Sequence, residues 1–190
     1  MYSNEVRHYR FLCVVLALAD ALAALSLWHY IRFSLGLQSE PSFCNLSAQF
    51  NCDAVTRSSY SLLFGIPVAV YGMLFYTAML LTVGFSLRGK DELPLARISG
   101  ALCLCAIGSV LYSFYLFYVS EFIIGTVCPT CMAMYACNFL FLLLSWRALR
   151  SPRGESLRGG FAALFSGLPK LLFLRQSPSP ASVEIGRAHV

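Results

Sequence analysis

Charged residues are scarce in this sequence: they make up 12% of its 190 residues, whereas hydrophobic residues make up 58%. Soluble proteins have about 25% charged residues, and a chain with so few cannot cover a water-exposed surface. This shortage excludes a water-soluble domain. The sequence also lacks a glycine-rich phosphate loop and an internal repeat of fixed period. Nothing in it therefore indicates a phosphate-loop nucleotide site or a repeat protein.

The basic residues are dispersed along the chain. The 14 lysines and arginines give a formal net charge of +5, but they do not gather with aromatic residues on one polar face. This distribution argues against a nucleic-acid-binding surface. Together with the hydrophobic content, it predicts an integral membrane protein whose basic residues set its orientation.

Four stretches contain the roughly 20 apolar residues that a bilayer core requires. They are residues 11–31, 62–87, 98–119 and 128 or 129 to 146. The first lacks the small-residue cleavage pattern of a signal peptide, and its flank, Trp28-His29-Tyr30, is typical of an interfacial aromatic belt. We therefore predict an all-α integral membrane fold: a four-transmembrane-helix bundle with a long loop between helices 1 and 2.

The orientation follows from the loop charges. Basic residues precede the first span, separate the second from the third and follow the fourth, while the opposite side holds only Arg32 and Arg57. Because lysine and arginine accumulate on the cytoplasmic side, both ends of the four-helix unit are expected in the cytoplasm. Residues 32–60 and 120–127 then face outward, to the periplasm or its topological equivalent.

The predicted membrane domain covers residues 1–150, and residues 151–190 form a basic connector and tail. Within the tail, 161–174 is apolar but interrupted, which fits an interfacial segment or the start of an incomplete fifth span. The last residues, from Glu184 onward, resemble a translated sequencing adapter. We therefore expect a truncated or artefactual end and assign no function to the residues after about Ser182.

The strongest local signal is Cys128-Pro129-Thr130-Cys131, at the outward start of the fourth span. This spacing puts both sulfurs on one helical turn, where unpaired N–H groups and the helix dipole favour a thiolate. Pro129 suits an early helix position, which does not need its missing N–H. These are the requirements of thiol–disulfide exchange. The four remaining cysteines outside the first outward loop lie in apolar runs and are expected to pack as small hydrophobes: Cys13, Cys103, Cys105 and Cys137.

A zinc site is the main rival for this motif, and it would need Cys44 and Cys52 from the first outward loop. Seven residues separate these two cysteines, unlike the short knuckles of structural zinc sites, and no suitable histidine accompanies them. Outward-facing cysteines also meet oxidising conditions. We therefore favour redox chemistry and predict no metal. Two static structural disulfides in a non-enzymatic four-span protein stay open as an alternative.

A dithiol at the mouth of a membrane helix touches water on one side and the bilayer on the other. It can pass two electrons from a soluble thiol protein to a lipid-soluble oxidant, and a quinone is the obvious acceptor. The pair Cys44 and Cys52 would then be a relay on a mobile loop.

An ordered set of residues resembles the vitamin K epoxide reductase family, particularly its bacterial quinone-reducing members, over residues 11–147. The set comprises Cys44 and Cys52, Ser58, Phe64-Gly65-Ile66-Pro67, Cys128-Pro129-Thr130-Cys131 and Tyr135. The resemblance implies a four-helix bundle around a ubiquinone or menaquinone in the bacterial inner membrane. It also implies a thioredoxin-fold (DsbA-like) partner and a role in disulfide bond formation.

The resemblance further implies roles for single residues. Cys131 corresponds to the cysteine that reacts with quinone, and Cys128 to the one that exchanges with the loop. Cys52 corresponds to the loop cysteine that bridges to Cys128, and Cys44 to the one that meets the partner protein. Three further residues are expected at the quinone: Ser58, Phe64 and Tyr135.

A departure from the vertebrate members concerns Ser61, which we also expect at the quinone. Counted back from Phe64-Gly65, Ser61 stands where those members have an asparagine that addresses the quinone carbonyl. This difference counts against quinone-epoxide reduction, a further alternative, more than against quinone reduction.

Two ionisable residues near or inside the first span have competing interpretations. Asp20 could serve a proton route to the quinone or hydrogen-bond to a neighbouring helix, and we favour the helix contact. His29 could donate protons at the outward interface, but a snorkelling interfacial histidine is the preferred interpretation.

Overall fold

The computed structural model describes residues 2–37, 44–47, 49–88 and 93–150. Its α-helices are α1 (Tyr2–Ser34), α2 (Cys52–Arg57), α3 (Val68–Arg88), α4 (Leu93–Tyr118) and α5 (Pro129–Leu149). A 3-10 turn (Ser59–Ser61) and two short strands, β1 (Leu62–Leu63) and β2 (Ile66–Pro67), join α2 to α3. A π-helical segment (Val119–Ile124) extends α4. The tail, residues 151–190, lies outside the described residues, so its boundary stays a prediction.

Four helical segments of the described chain are long and apolar enough to cross a membrane. They are Arg7–Ser34, Val68–Arg88, Ile98–Ile124 and Pro129–Leu149. Large apolar side chains such as Leu18, Leu74 and Leu111 lie exposed on the outer faces of these helices, where lipid is the solvent that accommodates them. The predicted all-α four-helix membrane fold is confirmed, and the protein is a multi-pass membrane protein.

The predicted start of the second span at residue 62 is wrong. The chain turns back at Phe64 and Gly65, whose φ angles are 52° and 79°, and Leu62 pairs with Pro67 in a two-stranded antiparallel hairpin. The helix therefore begins at Val68. Hydrophobicity did not reveal this boundary because the hairpin is as apolar as the helix, whereas a positive φ ends regular structure.

The helices pack around one apolar core. α1 packs most extensively against α3 and α5, and α4 packs against α5. The largest fully buried side chains of this core include Leu12, Leu16, Val83, Leu102 and Phe141. Asp20 on α1 accepts hydrogen bonds from the Thr77 hydroxyl on α3, at 3.2 and 3.3 Å. The carboxylate therefore makes the helix contact that we favoured for it.

The C-terminal end of α1 is closed by a Schellman motif. Gly36 has a φ of 65°; its N–H donates to the Phe33 carbonyl at 3.1 Å, and the Leu37 N–H donates to the Arg32 carbonyl at 3.0 Å. A residue with positive φ in this place lets the last carbonyls of a helix find donors. α1 therefore stays helical about one turn beyond the predicted end at residue 31, which places Phe33 beside Arg57 of α2.

Candidate active site

The Cys128-to-Cys131 motif forms the first turn of α5. Cys128 is the N-cap residue, with extended backbone (φ −93°, ψ 116°), and Pro129 occupies the first turn. The Cys128 sulfur accepts a hydrogen bond from the Cys131 N–H, at an N···S distance of 3.4 Å. A thiolate at this position faces N–H groups that have no partner inside the helix, which stabilises its charge.

Residues 44–57 form what we call the redox loop, because Cys44 and Cys52 are joined in a disulfide with a Cα–Cα distance of 5.8 Å. Cys52 begins α2, whose N-cap is Asn51; the Asn51 side-chain oxygen accepts from the Ala54 N–H at 3.0 Å. This cap fixes the first turn of α2 and with it the direction of the Cys52 side chain.

The two cysteine pairs meet in one buried cluster. The Cys52 and Cys128 sulfurs lie 3.2 Å apart, and Cys44, Cys52 and Cys128 are buried together, with Cys131 packed against them. Thiol–disulfide exchange needs a thiolate within reach of a disulfide sulfur. The structure therefore brings together all four cysteines that the sequence selected, in the order that a relay from loop to helix requires.

Backbone hydrogen bonds also attach the redox loop to the segment just before α5. The Val127 N–H donates to the Gln49 carbonyl at 2.9 Å, and the Asn51 N–H donates to the Val127 carbonyl at 3.1 Å. These bonds lie beside the contact between the Cys52 and Cys128 sulfurs on both segments, because Asn51 precedes Cys52 and Val127 precedes Cys128. They hold the redox loop against the N-terminal end of α5.

The Cys128 thiol is held in a state suited to exchange. Hydrogen bonding from the Cys131 side chain, reinforced by bonds from the Cys131 and Thr130 N–H groups, lowers the pKa of Cys128 to about 7 despite its burial. A hydrogen bond to the charged form of a group favours that form. Cys128 is therefore the more acidic thiol of the pair, and its sulfur lies next to the disulfide sulfur of Cys52.

We expect the Cys128 thiolate to form as the pH rises through about 7. A lowered pKa means that the thiolate persists above that pH and is protonated below it, so the exchange in which Cys128 attacks Cys52 should slow in acid. The measurement is thiolate absorbance against pH in detergent, taken as the difference from Cys128→Ser protein. Cys131→Ala should move the midpoint upward, because the main hydrogen bond is lost. A midpoint unchanged by Cys131→Ala would contradict this assignment.

A cavity of about 510 Å³ lies beneath the cysteine cluster, within the usual range of small-molecule sites. Cys131 and Tyr135 of α5 line it, as do Ser58 and Ser61. The Ser61 hydroxyl donates to the Thr56 and Ser58 carbonyls, both at 2.9 Å, and so helps fix the turn after α2.

Phe64 is the one predicted site residue that the structure does not bring to this cavity. It lies at the tip of the β1–β2 turn, and its side chain is 93% exposed. Its contact with a quinone stays a prediction.

The structure adds a polar network that sequence reasoning missed. The Tyr76 hydroxyl donates to Asn138 Oδ1 at 2.8 Å, and Asn138 Nδ2 donates to the Ser113 hydroxyl at 2.8 Å. The three residues belong to α3, α5 and α4, and all line the cavity. An asparagine in the middle of an apolar span was the available signal, because polar groups inside a bilayer need partners.

Two further residues lie elsewhere than predicted. Cys103 is fully buried in packing, as expected, but Cys105 lines the cavity. His29 does not snorkel: its Nε2 lies 2.9 Å from Asp53 Oδ1 in the redox loop, and its side chain is only 13% exposed. This contact between α2 and α1 joins residues that are distant in the sequence, so no local pattern indicated it.

The fold and the cysteine cluster define a class of protein, the membrane oxidoreductases that act through paired cysteines. A sequence profile of the Vitamin K epoxide reductase family matches residues 11–146, and this chain belongs to that family. The matched region spans all four membrane helices and both cysteine pairs. The family consists of oxidoreductases and uses quinone-type substrates.

Proposed function

We propose that this protein passes electrons from a periplasmic thioredoxin-fold protein, through its two cysteine pairs, to a membrane quinone, and so supports disulfide bond formation. The observation that carries the proposal is the 3.2 Å contact between the sulfurs of Cys52 and Cys128. It joins an oxidised pair in the redox loop to free thiols at the mouth of a membrane helix.

The relay consists of balanced exchange steps. A partner thiolate attacks the Cys44 sulfur; a partner–Cys44 disulfide forms, and Cys52 leaves as a thiolate. The second partner thiol then displaces Cys44 and leaves oxidised. Cys52 attacks the Cys128 sulfur of the Cys128–Cys131 disulfide, which releases Cys131 as a thiolate. Cys44 then displaces Cys128 from Cys52, so the loop pair is oxidised again and both thiols of α5 are reduced.

The structure has an oxidised loop pair and free thiols at the start of α5. It corresponds to the point after internal exchange and before electrons leave the protein. A quinone supplies the acceptor for two electrons and two protons. Cys128 and Cys131 both line the cavity, but the Cys128 sulfur lies against Cys52. Cys131 would therefore deliver the electrons, and the Cys128–Cys131 disulfide would form again.

The shape and chemistry of the cavity support a ubiquinone or menaquinone. Its walls are largely apolar, as a quinone ring and isoprenoid tail require, and the Tyr135 side chain lies one turn below Cys131. Ser58 lies at the rim, where its hydroxyl donates to the Val55 carbonyl at 2.7 Å.

The location we propose is the bacterial inner membrane, with both ends of the four-helix unit in the cytoplasm. Arg88 is the last residue of α3 and Arg147 lies in the last turn of α5, at the end of the bundle away from the cysteines. Basic residues at that end favour a cytoplasmic position. The redox loop then faces the periplasm, where a thioredoxin-fold partner is available.

The test is anaerobic quinone reduction by the purified protein in detergent, with reduced thioredoxin as donor and ubiquinone or menaquinone analogues as acceptors. Cys131→Ala is expected to lower turnover about 10³-fold or more, because single members of a catalytic unit are not replaceable. Cys13→Ala is the matched control; Cys13 packs in the core and is expected to leave turnover unchanged. A wild type with no turnover on either quinone would refute the proposal in favour of static disulfides.

A further inference from the structure

The redox loop is fastened to α1 by side-chain contacts that the relay does not itself use. Asp53 Oδ1 lies 2.9 Å from His29 Nε2, and the Arg57 guanidinium lies 4.9 Å from the centre of the Phe33 ring. His29 and Phe33 are four residues apart on α1, as Asp53 and Arg57 are on α2, so each pair lies one turn apart on one helix face. The two contacts therefore hold α2 alongside the outer end of α1.

Asp53 also braces both ends of the loop disulfide. Asn45 Nδ2 donates to Asp53 Oδ2 at 2.6 Å, and the Asp53 N–H donates to Asn45 Oδ1 at 3.3 Å. Asn45 follows Cys44, and Asp53 follows Cys52. One carboxylate thus connects the segments on either side of the disulfide to the membrane helix α1.

The relay makes opposite demands on this loop. Internal exchange needs the Cys52 sulfur against Cys128, which the closed loop provides at 3.2 Å. Exchange with a partner protein needs access to Cys44, which is only 6% exposed. A loop held closed therefore favours the internal step and obstructs the external one, because exchange requires that the attacked sulfur be reachable.

We propose that Asp53, anchored on His29, is a positioning residue that latches the redox loop closed for internal exchange and releases it when a partner protein attacks Cys44. The inference rests on the proposed function. The two side chains are 13% and 14% exposed, so water and salt screen their contact less than they screen a surface pair.

The first measurement isolates internal exchange in Cys131→Ser protein whose loop pair is oxidised. There the Cys128 thiolate attacks Cys52. The Cys52–Cys128 bond forms and the Cys44–Cys52 bond breaks, so Cys44 leaves as a thiolate that an alkylating reagent captures. Mass spectrometry follows the growth of the Cys52–Cys128 bridge. Adding Asp53→Ala is expected to slow this growth about tenfold, the effect of losing a hydrogen bond to a charged group.

The second measurement follows external access in protein that keeps Cys131. Asp53→Ala is expected to accelerate reduction of the Cys44–Cys52 disulfide by reduced thioredoxin about tenfold, because the loop opens more often. His29→Gln should shift both rates in the same directions as Asp53→Ala. Adding His29→Gln to Asp53→Ala should change the rates little further, since the contact between the two side chains is already gone. Ser59→Ala, an exposed position beside α2, is the matched control and should change neither rate.

Opposite changes in the two rates are the signature of a latch, and a purely structural role would not produce them. The proposal is overturned if both rates fall together or if neither moves. Asp53→Asn is the variant that separates this effect from a folding defect, because it keeps the size of the side chain and an oxygen for Asn45. Its thermal midpoint should equal that of the wild type, and the two rates should still shift in opposite directions. Neither measured rate involves quinone. A failure to reduce quinone would therefore refute only the last step of the relay, and the two rates would still test the latch.

Discussion

Cys44→Ser protein is expected to accumulate a disulfide between Cys52 and Cys128. Without Cys44, Cys52 is a free thiol 3.2 Å from the Cys128 sulfur, and its attack on the oxidised α5 pair forms a bridge that no loop cysteine resolves. Turnover driven by a protein thiol should fall about 10³-fold or more, because the relay works as a unit. Peptide mass spectrometry after alkylation identifies the bridge.

Cys105→Ser is the matched control for this trap. Cys105 is also a free cysteine that lines the cavity, but it does not belong to the buried cluster of the two pairs. It should form no new bridge, and Cys13→Ala, a change outside the cavity lining, should retain donor-driven turnover. If Cys52 is instead recovered fully alkylated in Cys44→Ser protein, the sulfur contact is not a step in electron transfer.

Asn138→Leu is expected to lower the free energy of unfolding in detergent by about 1–3 kcal/mol, the cost of leaving buried polar groups unsatisfied. The change removes the acceptor of the Tyr76 hydroxyl and the donor to Ser113. These bonds connect three membrane helices, where the surrounding lipid offers no replacement. The measurement is the thermal midpoint or denaturant midpoint of the purified protein.

Phe139→Leu, one residue further along α5, is the control for this effect. Phe139 faces outward and is more than half exposed, so its replacement should stay within about 0.5 kcal/mol of wild type. A double-mutant cycle of Asn138→Leu with Tyr76→Phe should show non-additivity, since both changes break the same hydrogen bond. Full additivity would mean that the network does not act as a unit.

The existence of the membrane helices was predictable, but one of their boundaries was not. An apolar run long enough to span a bilayer has few other structures available to it, because its backbone must hydrogen-bond internally. Composition does not separate a helix from a short apolar hairpin, so the start of α3 was placed six residues too early. The turn at Phe64 and Gly65 depends on backbone angles, which a hydropathy profile does not contain.

The candidate site was also predictable only in part. The spacing of Cys128 and Cys131 fixes both sulfurs to one helical turn, so their proximity follows from local geometry. The contact of Cys52 with Cys128 joins residues 76 positions apart, and from the residues alone several pairings of the cysteines stayed open. The resemblance to a family, not the spacing, supplied the expected order of the relay.

The sequence by itself determined that this protein lies in a membrane, that a closely spaced cysteine pair stands at the start of the fourth span, and which family it resembles. These properties depend on composition and on residues close together in the chain. Only the tertiary structure decided that His29 meets Asp53, that Asn138 links Tyr76 to Ser113, and that the redox loop lies closed over Cys128. Such contacts depend on how helices distant in sequence are rotated and docked, and a rotation of one residue, about 100°, would break each of them without changing any local pattern.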